Sequence, residues 1–296
     1  MNVKVSKEET WDFPLSHPSN RYYVLVDDYK LLIDAGARPL SNHSGIDYIM
    51  ITHWHWDHTY GLSSAHNTRV CLDRATLASL NPNKAKESIV EVARAVGFRE
   101  DEDAVKLIEA FIGRYSIIQN AISRLEVYTL EECPPIEAGI VRYLRCPGHS
   151  RDHICYIIGD HAFVGDNILP LTGTVTLLDL ASYNESMIRL MADTQWHTAH
   201  PGHGESLDKN KALEWYINHY KHKEKRLLQV LSRIPEDSWI TIKRLMDIIY
   251  GVKETLTIYI VARTLIGYIA TLENMGIIEV DKSQSPWRVK LKNHRS

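Results

Sequence analysis

The chain has 296 residues, enough for one large domain or for one large and one small domain. It is 44% hydrophobic and 24% charged, with 15 Gly and 11 Pro, a globular composition that excludes fibrous and intrinsically disordered proteins. No apolar run approaches the ~20 residues of a membrane span, and the charged N-terminus lacks the apolar stretch of a signal peptide. These features predict a cytoplasmic protein without a membrane partner.

The cysteines predict no covalent framework. The chain has four of them, and none forms a Cys-x-x-Cys pair: Cys71, Cys133, Cys146 and Cys155. A disulfide scaffold and a thiolate zinc site both need paired spacings, so reduced thiols are expected.

Charge is distributed unevenly along the chain. The net charge is −3, and residues 205–296 contain 16 Lys+Arg against 11 Asp+Glu. That part therefore has a net charge of +5, which leaves −8 for residues 1–204. The change in sign predicts a domain boundary near residue 205, between a first domain over 1–208 and a second over 209–296.

The N-terminal part of the sequence predicts β-structure. Residues 21–26 and 29–34 form a predicted hairpin around Asp27 and Asp28. The apolar run 46–52 is typical of a strand buried on both faces, and it stops at a histidine.

A helical insertion is predicted over residues 81–126. Pro82 suits the first turn of a helix and Gly97 suits its end. Two further amphipathic runs follow, over 104–112 and 115–125. The insertion could cover a site like a lid, or it could be a bundle that stabilises the scaffold.

The rest of the chain alternates strands and helices. Strands are predicted over 140–145, 153–158 and 162–165, and helices over 184–193, 211–231, 241–250 and 255–275. A hairpin of residues 276–280 and 287–291 follows the last helix. Three helices followed by a hairpin predict a winged-helix arrangement for the C-terminal domain.

The segment His53-Trp-His-Trp-Asp-His58 carries the chemistry. It places three imidazoles and one carboxylate within six residues, directly after a strand. Three other segments offer ligand-type residues on loops: Cys146-Pro-Gly-His149, Gly165-Asp166-Asn167 and His200-Pro-Gly-His203-Gly204. Imidazoles and carboxylates gathered on loops predict two neighbouring metal sites.

In this order, these segments resemble the signature motifs of the metallo-β-lactamase superfamily. The similarity covers about residues 20–205 and includes Ile33-Asp34-Ala-Gly36. The resemblance implies an α/β fold, a four-layer αββα sandwich, here with a helical insertion and a small C-terminal winged-helix domain.

The resemblance also implies a ligand set. One metal would be held by His53, His55 and His149, and a second by Asp57, His58 and His203, with Asp166 bridging both. Imidazole and carboxylate ligands favour Zn²⁺, and Fe or Mn could also bind. Asp57 and Asp166 are the expected catalytic residues: Asp57 can both bind a metal and hold the proton of the attacking water, and Asp166 would bridge the two metals.

Four neighbouring residues need separate interpretation. His200 could compete with His203, but the family's last ligand lies in the Pro-Gly-His-Gly turn, which favours His203. His153 is expected to donate or accept a supporting hydrogen bond. Asp34 could orient a ligand or merely close its turn, and Cys146 is expected to be buried and inert.

Two cations that share a water would present a bridging hydroxide at neutral pH, so hydrolysis is the predicted reaction class. The resemblance extends to hydroxyacylglutathione hydrolase (glyoxalase II) and, for the C-terminal part, to the β-lactamase-like endoribonucleases. A small ester, thioester or lactone is the first expected substrate, and RNA is the alternative. Homo-oligomers are possible.

A third hypothesis is a regulator that binds nucleic acid through its tail. The predicted third C-terminal helix contains one arginine, Arg263, which is a poor phosphate-contacting surface. The basic residues of the first C-terminal helix and of the wing predict a solvated face, with domain packing or RNA contact as alternatives: Lys221, Lys223, Lys225, Arg226, Arg288, Lys290, Lys292 and Arg295.

Overall fold

The computed structural model describes residues 2–12, 17–41, 45–97, 102–171, 179–251 and 255–292, with only the backbone for 102–108, 110 and 255–258. Arg295, one of the basic tail residues, lies outside the described residues. Within them, no helix combines the length and apolarity that a bilayer crossing requires.

The first sheet has six strands in chain order: β1 (Val3–Thr10), β2 (Ser19–Val26), β3 (Tyr29–Ile33), β4 (Tyr48–Met50), β5 (Arg69–Leu72) and β6 (Glu126–Thr129). The first three are antiparallel, as the predicted hairpin requires, and β3 to β6 run parallel. Parallel strands point their carboxyl ends to one edge, so the loop after β4 begins there.

The second sheet has five strands in the order β11-β10-β9-β8-β7. Its strands are β7 (Arg142–Arg145), β8 (Ile154–Ile158), β9 (His161–Gly165), β10 (Thr198–Pro201) and β11 (Leu207–Asp208). β9 and β10 are parallel, and their carboxyl ends carry Asp166 and His203 to the same edge.

Nine α-helices are present in the described residues: α1 (Trp56–Thr59), α2 (Arg74–Ser79), α3 (Pro82–Val96), α4 (Glu102–Ile122), α5 (Pro134–Glu137), α6 (Leu180–Ala192), α7 (Lys209–Leu231), α8 (Ile242–Ile249) and α9 (Thr255–Asn274). Short 3-10 helices cover Tyr60–Ser64 and Leu130–Glu132. The predicted runs 104–112 and 115–125 lie on one helix, α4, which continues through Gly113 because a single glycine costs a helix only about 1 kcal/mol.

Three buried clusters separate four layers. The two sheets pack face to face through residues such as Met50 and Phe163. On the outer side of the first sheet, Ile49 and its neighbours pack against α4. On the outer side of the second sheet, Ile157 and its neighbours pack against α6 and α7. This arrangement confirms the predicted αββα sandwich, in which each helix layer buries one face of a sheet.

The C-terminal elements include a three-stranded sheet, β12 (Ile240–Thr241), β14 (Arg288–Leu291) and β13 (Ile278–Asp281). Their core cluster also contains Val92 and Val96 of α3. In addition, the Trp287 amide donates a hydrogen bond to the Ala95 carbonyl. The insertion and the C-terminal segment therefore share one core, and the boundary at 208 stays a prediction.

The expectation of four reduced thiols is wrong for two of them. A disulfide joins Cys71 of β5 to Cys133, which lies 62 residues later in the sequence. The parallel pairing of β5 with β6 brings the two cysteines together, and sequence spacing could not reveal it. Cys146 and Cys155 are free and buried.

Candidate metal centre

The metal-site loop begins where β4 ends in the first sheet. Thr52 to His55 continue the strand without regular structure, and α1 then turns the chain so that Asp57 and His58 point back. Trp54 and His55 are half-buried, and the other residues of this segment are shielded from solvent. The other sheet contributes its own loops to the same edge, so the centre lies between the two sheets.

The first ligand group contains His53, His55 and His149, together with Asp166. His55 Nδ1 is 2.9 Å from His53 Nε2 and 2.8 Å from His149 Nε2. Three imidazole nitrogens from two loops therefore converge on one point.

The second ligand group contains Asp57, His58 and His203. Asp57 Oδ2 lies 3.5 Å from His58 Nε2 and 3.3 Å from His203 Nε2. The His203 Nδ1 is 2.8 Å from the Pro18 carbonyl oxygen, to which it donates, so its Nε2 offers a lone pair to the centre.

Asp166 lies between the two groups and turns one oxygen toward each. Oδ2 is 3.9 Å from His53 Nε2 and 3.5 Å from His149 Nε2. Oδ1 is 3.3 Å from His58 Nε2 and 3.6 Å from His203 Nε2. This is the geometry that a carboxylate shared by two cations needs.

The chemistry of these donors fits divalent cations. Among the described residues, His58 Nε2 and Asp166 Oδ1 are buried side-chain atoms without a hydrogen bond. Leaving such atoms unsatisfied costs about 1–3 kcal/mol each, which a coordinated cation would offset. Nitrogen and oxygen donors without thiolate suit Zn²⁺, Fe²⁺ or Mn²⁺.

Glycine allows the second group to approach Asp166 closely. A Cβ at Gly202 would lie 2.2 Å from Asp166 Oδ1 and 2.7 Å from His58 Cε1. The Pro-Gly-His-Gly turn therefore needs glycine at position 202, because a side chain there would clash with Asp166 and His58.

Asp34 and Thr52 orient one histidine of each group. The Asp34 carboxylate accepts from His58 Nδ1 at 2.9 Å and from the Thr52 hydroxyl at 2.8 Å. Because that hydroxyl donates to Asp34, it accepts from His53 Nδ1, which is 3.0 Å away. Both histidines thus carry their proton on Nδ1 and present Nε2 to the centre.

The histidines of the first group are held neutral. Burial and the neighbouring positive groups lower the pKa values of His53 and His55 well below 6.5. Burial likewise lowers the pKa of His149 to about 4, although the Asp166 charge opposes this.

The histidines of the second group are held protonated in the absence of metal. Burial alone would lower the pKa of His58, but Asp166, Asp57 and Asp34 together raise it well above 6.5. Burial would also lower the pKa of His203, but the carboxylates of Asp166 and Asp57 raise it to about 10. The pKa of Asp166 is lowered against the effect of burial by His203 and His58.

Three further expectations agree with the structure. His153 Nε2 accepts the Asp166 backbone N–H at 3.1 Å, so His153 supports the centre without joining a ligand group. His200 is 2.9 Å from His161 and 2.8 Å from Ser206, outside both groups. The Cys146 side chain is buried.

Sequence reasoning missed the residues that approach from the helices. Tyr115 of α4 stacks on Trp54, with ring centroids 5.2 Å apart. Arg263 of α9 reaches His55, with 3.4 Å between Nη2 and Nε2. The sequence signal for Arg263 is its position as the one arginine in a largely apolar predicted helix.

Known proteins share this fold over the whole chain. A metallo-β-lactamase family protein of Thermus thermophilus superposes with a TM-score of 0.66 at 18% identity, covering 97% of this chain and 98% of that chain. A β-lactamase domain protein of Burkholderia ambifaria gives a TM-score of 0.66 at 15% identity, covering 97% and 91%. The chain has the metallo-β-lactamase superfamily fold.

Sequence relatives agree with the structural neighbours, although no protein-family model matches. The lactamase-like protein nscB of Aspergillus fumigatus is 29% identical over 72% of this chain and 56% of its own length. The atrochrysone carboxyl ACP thioesterase of Claviceps purpurea is 25% identical over 79% of this chain and 67% of its own. The chain thus spans little more than half the length of the first of these relatives.

Proposed function

We propose that this protein is a dinuclear metal-dependent hydrolase of a small acyl substrate, with a thioester first and an ester or lactone next. The observation that carries the proposal is Asp166, whose two oxygens face two separate groups of buried imidazoles. The thioesterase named among the relatives supports the choice of a thioester.

Each ligand group would hold one cation. His53, His55 and His149 would hold one cation, and Asp57, His58 and His203 the other, with Asp166 between them. When bound, two such cations would lower the pKa of a water between them toward about 7 and would polarise the acyl carbonyl. Zn²⁺ is the first candidate, and Fe²⁺ or Mn²⁺ would fit the same donors.

Asp57 is the residue placed to handle the proton. Asp57 belongs to the second ligand group. Burial alone would raise the pKa of its carboxyl, but the positive charges of His58 and His203 lower this pKa, so Asp57 is ionised at neutral pH. In hydrolysis, water adds to the acyl carbon, the bond to the leaving sulfur or oxygen breaks, and the leaving group takes the proton. An ionised Asp57 can orient the water by accepting a hydrogen bond from it.

The surroundings favour a small substrate. Helix α4 lies against the metal-site loop, where Phe111 is near Trp56 with ring centroids 6.2 Å apart. Arg263, the arginine that a groove-binding helix would present to nucleic acid, contacts His55 instead. No observation on the described residues favours the endoribonuclease or the nucleic-acid-binding regulator.

The test is a substrate panel with zinc-loaded protein: an acyl thioester, a lactone, a phosphodiester and a single-stranded RNA. We expect turnover of the thioester or the lactone, and loss of that turnover in Asp57→Ala with unchanged circular dichroism. Cleavage of RNA alone, or turnover by Asp57→Ala equal to that of the wild type, would refute the proposal.

A further inference from the structure

Helix α9 carries one guanidinium into the edge of the metal centre. Arg263 Nη2 is 3.4 Å from His55 Nε2, although the two residues are 208 positions apart. The Arg263 side chain is half-buried. Among the described residues, no carboxylate lies within ion-pair distance of Arg263. The guanidinium charge therefore has no ion-pair partner in this part of the protein.

The contact between Arg263 and His55 cannot satisfy either partner when a cation is bound. His55 Nδ1 is the nitrogen that faces His53 and His149. A neutral imidazole has one lone pair and one N–H, so a His55 that coordinates through Nδ1 carries its proton on Nε2. That N–H faces the guanidinium, which has donors only. Two donors side by side require an acceptor from outside the protein.

The walls around this pair are aromatic. Tyr259 lies one turn before Arg263 on α9, and Tyr115 is buried beside the metal-site loop. Burial raises the pKa values of both phenols, and the positive charge of Arg263 opposes that rise. Both tyrosines are therefore neutral and do not neutralise Arg263. An ion pair formed in such a partly dry site is stronger than one on the surface.

We propose that Arg263 and the Nε2–H of His55 form a carboxylate-binding subsite beside the metal centre, so the substrate is an acyl compound that carries a carboxylate. This rests on the proposed hydrolase function and names its substrate class. The planar guanidinium fork matches a carboxylate in two parallel hydrogen bonds. The His55 ring separates Arg263 from the coordinating nitrogen, so the bound carboxylate belongs to a part of the substrate beyond the reacting carbonyl.

Turnover of a matched pair of substrates tests the subsite. The succinyl and butyryl thioesters of N-acetylcysteamine have acyl chains of the same length and differ in one terminal carboxylate. For the wild type we expect kcat/KM to be about tenfold higher for the succinyl compound, as one charge-assisted contact implies. In Arg263→Met the ratio of the two kcat/KM values should fall to about one, mainly through the KM of the succinyl compound. Arg263→Lys keeps part of the preference.

The matched control is Arg69→Met. Arg69 is an exposed residue of β5 whose partner is Glu126, at 3.1 Å. It lies at the start of the strand, away from the edge that carries the metal-site loop, so its removal changes the net charge equally without touching the site. An equal loss of the succinyl preference in Arg69→Met, or the same preference in Arg263→Met as in the wild type, would overturn the proposal.

A binding measurement separates this proposal from the proposed function. Calorimetric titration of zinc-loaded protein with succinate should give a dissociation constant about tenfold weaker in Arg263→Met than in the wild type. Butyramide, an uncharged compound of the same chain length, should not distinguish the two proteins, and the zinc content should be the same. Succinate that binds both proteins equally overturns the subsite. If the wild type hydrolyses no thioester but this difference in binding is present, the activity is wrong and the subsite stands.

Discussion

The two ligand groups consist of similar side chains but have opposite protonation states. In the first group, burial and mutual repulsion keep His53, His55 and His149 neutral. In the second, the carboxylates of Asp57, Asp34 and Asp166 keep His58 and His203 protonated. The number of carboxylates that face each imidazole therefore decides its charge, and the first group is prepared for a cation while the second must lose protons first.

The largest effect is expected from the residue that joins the two groups. Asp166→Asn keeps the size of the side chain but removes the negative charge that faces both groups. We expect hydrolysis to fall by more than about 100-fold, beyond the ~10–100-fold typical of residues that act through a ligand. Steady-state assays and elemental analysis of the same preparation measure it. Normal turnover with two cations bound would show that the groups do not depend on Asp166.

Acidification should distinguish the two groups. At pH 7 the metal-free protein holds protons on His58 and His203, whose pKa values lie well above 6.5 and at about 10, whereas the first group holds none. A cation entering the second group must release about two protons, so its affinity falls about 100-fold per pH unit below neutrality. Calorimetry in two buffers with different ionisation enthalpies counts these protons. Equal proton release at both groups would contradict the comparison.

The sign of the same shifts predicts the stability of the metal-free protein. Raised pKa values in the folded state mean that the ion pairs of His58 and His203 are fully present below about pH 6.5, the unfolded value. Their contribution is then lost as the pH rises through about 10. Urea denaturation of metal-free protein should therefore give a lower free energy of unfolding at pH 9.5 than at pH 6.5, and an increase over this range would refute the assignment.

Asp34→Asn should affect the second group selectively. The amide can still contact Thr52, but it removes one of the charges that hold and orient His58. We expect a loss of about 10–100-fold in the affinity for the second cation and in activity, with the first cation retained. Competition with a chromogenic chelator measures both affinities. A loss of the first cation alone would contradict the role of Asp34.

The smallest effect is expected from Thr52, whose hydroxyl lies between the Asp34 carboxylate and the His53 ring. Thr52→Val preserves the shape but removes the hydroxyl between Asp34 and His53. Because a buried carboxylate loses a donor, the free energy of unfolding should fall by about 1–3 kcal/mol. Activity should fall by less than about tenfold. Thr59→Val is a suitable control. The Thr59 hydroxyl donates to the His55 carbonyl oxygen, so this substitution also removes a buried hydroxyl but leaves the hydrogen bonds of Asp34 intact.

The sequence predicts the parts of this centre that are encoded locally. The sandwich and the division of the ligand-type residues into two groups are implied by the resemblance of local motifs to the metallo-β-lactamase superfamily, and each of those motifs is a short contiguous segment. Residues whose role depends on distant packing were missed. Arg263 meets His55 only after α9 has folded onto the insertion, and Cys71 meets Cys133 only after β5 and β6 have paired.

Edge strands were also hard to predict. β1 (Val3–Thr10) contains four charged residues, Lys4, Lys7, Glu8 and Glu9, because it is half-exposed at the border of the first sheet. Its sequence is therefore too polar for the apolar pattern that identifies the central strands. β10 (Thr198–Pro201) has four residues, too few to show the alternation that identifies a strand, so the sequence predicts only a loop there.

Anomalous diffraction from zinc-loaded crystals tests the central claim most directly. We predict two peaks at the zinc edge, one bound by His53, His55 and His149 and one by Asp57, His58 and His203, with Asp166 contacting both. A single peak, or peaks at other residues, would contradict the dinuclear centre and the activity that depends on it.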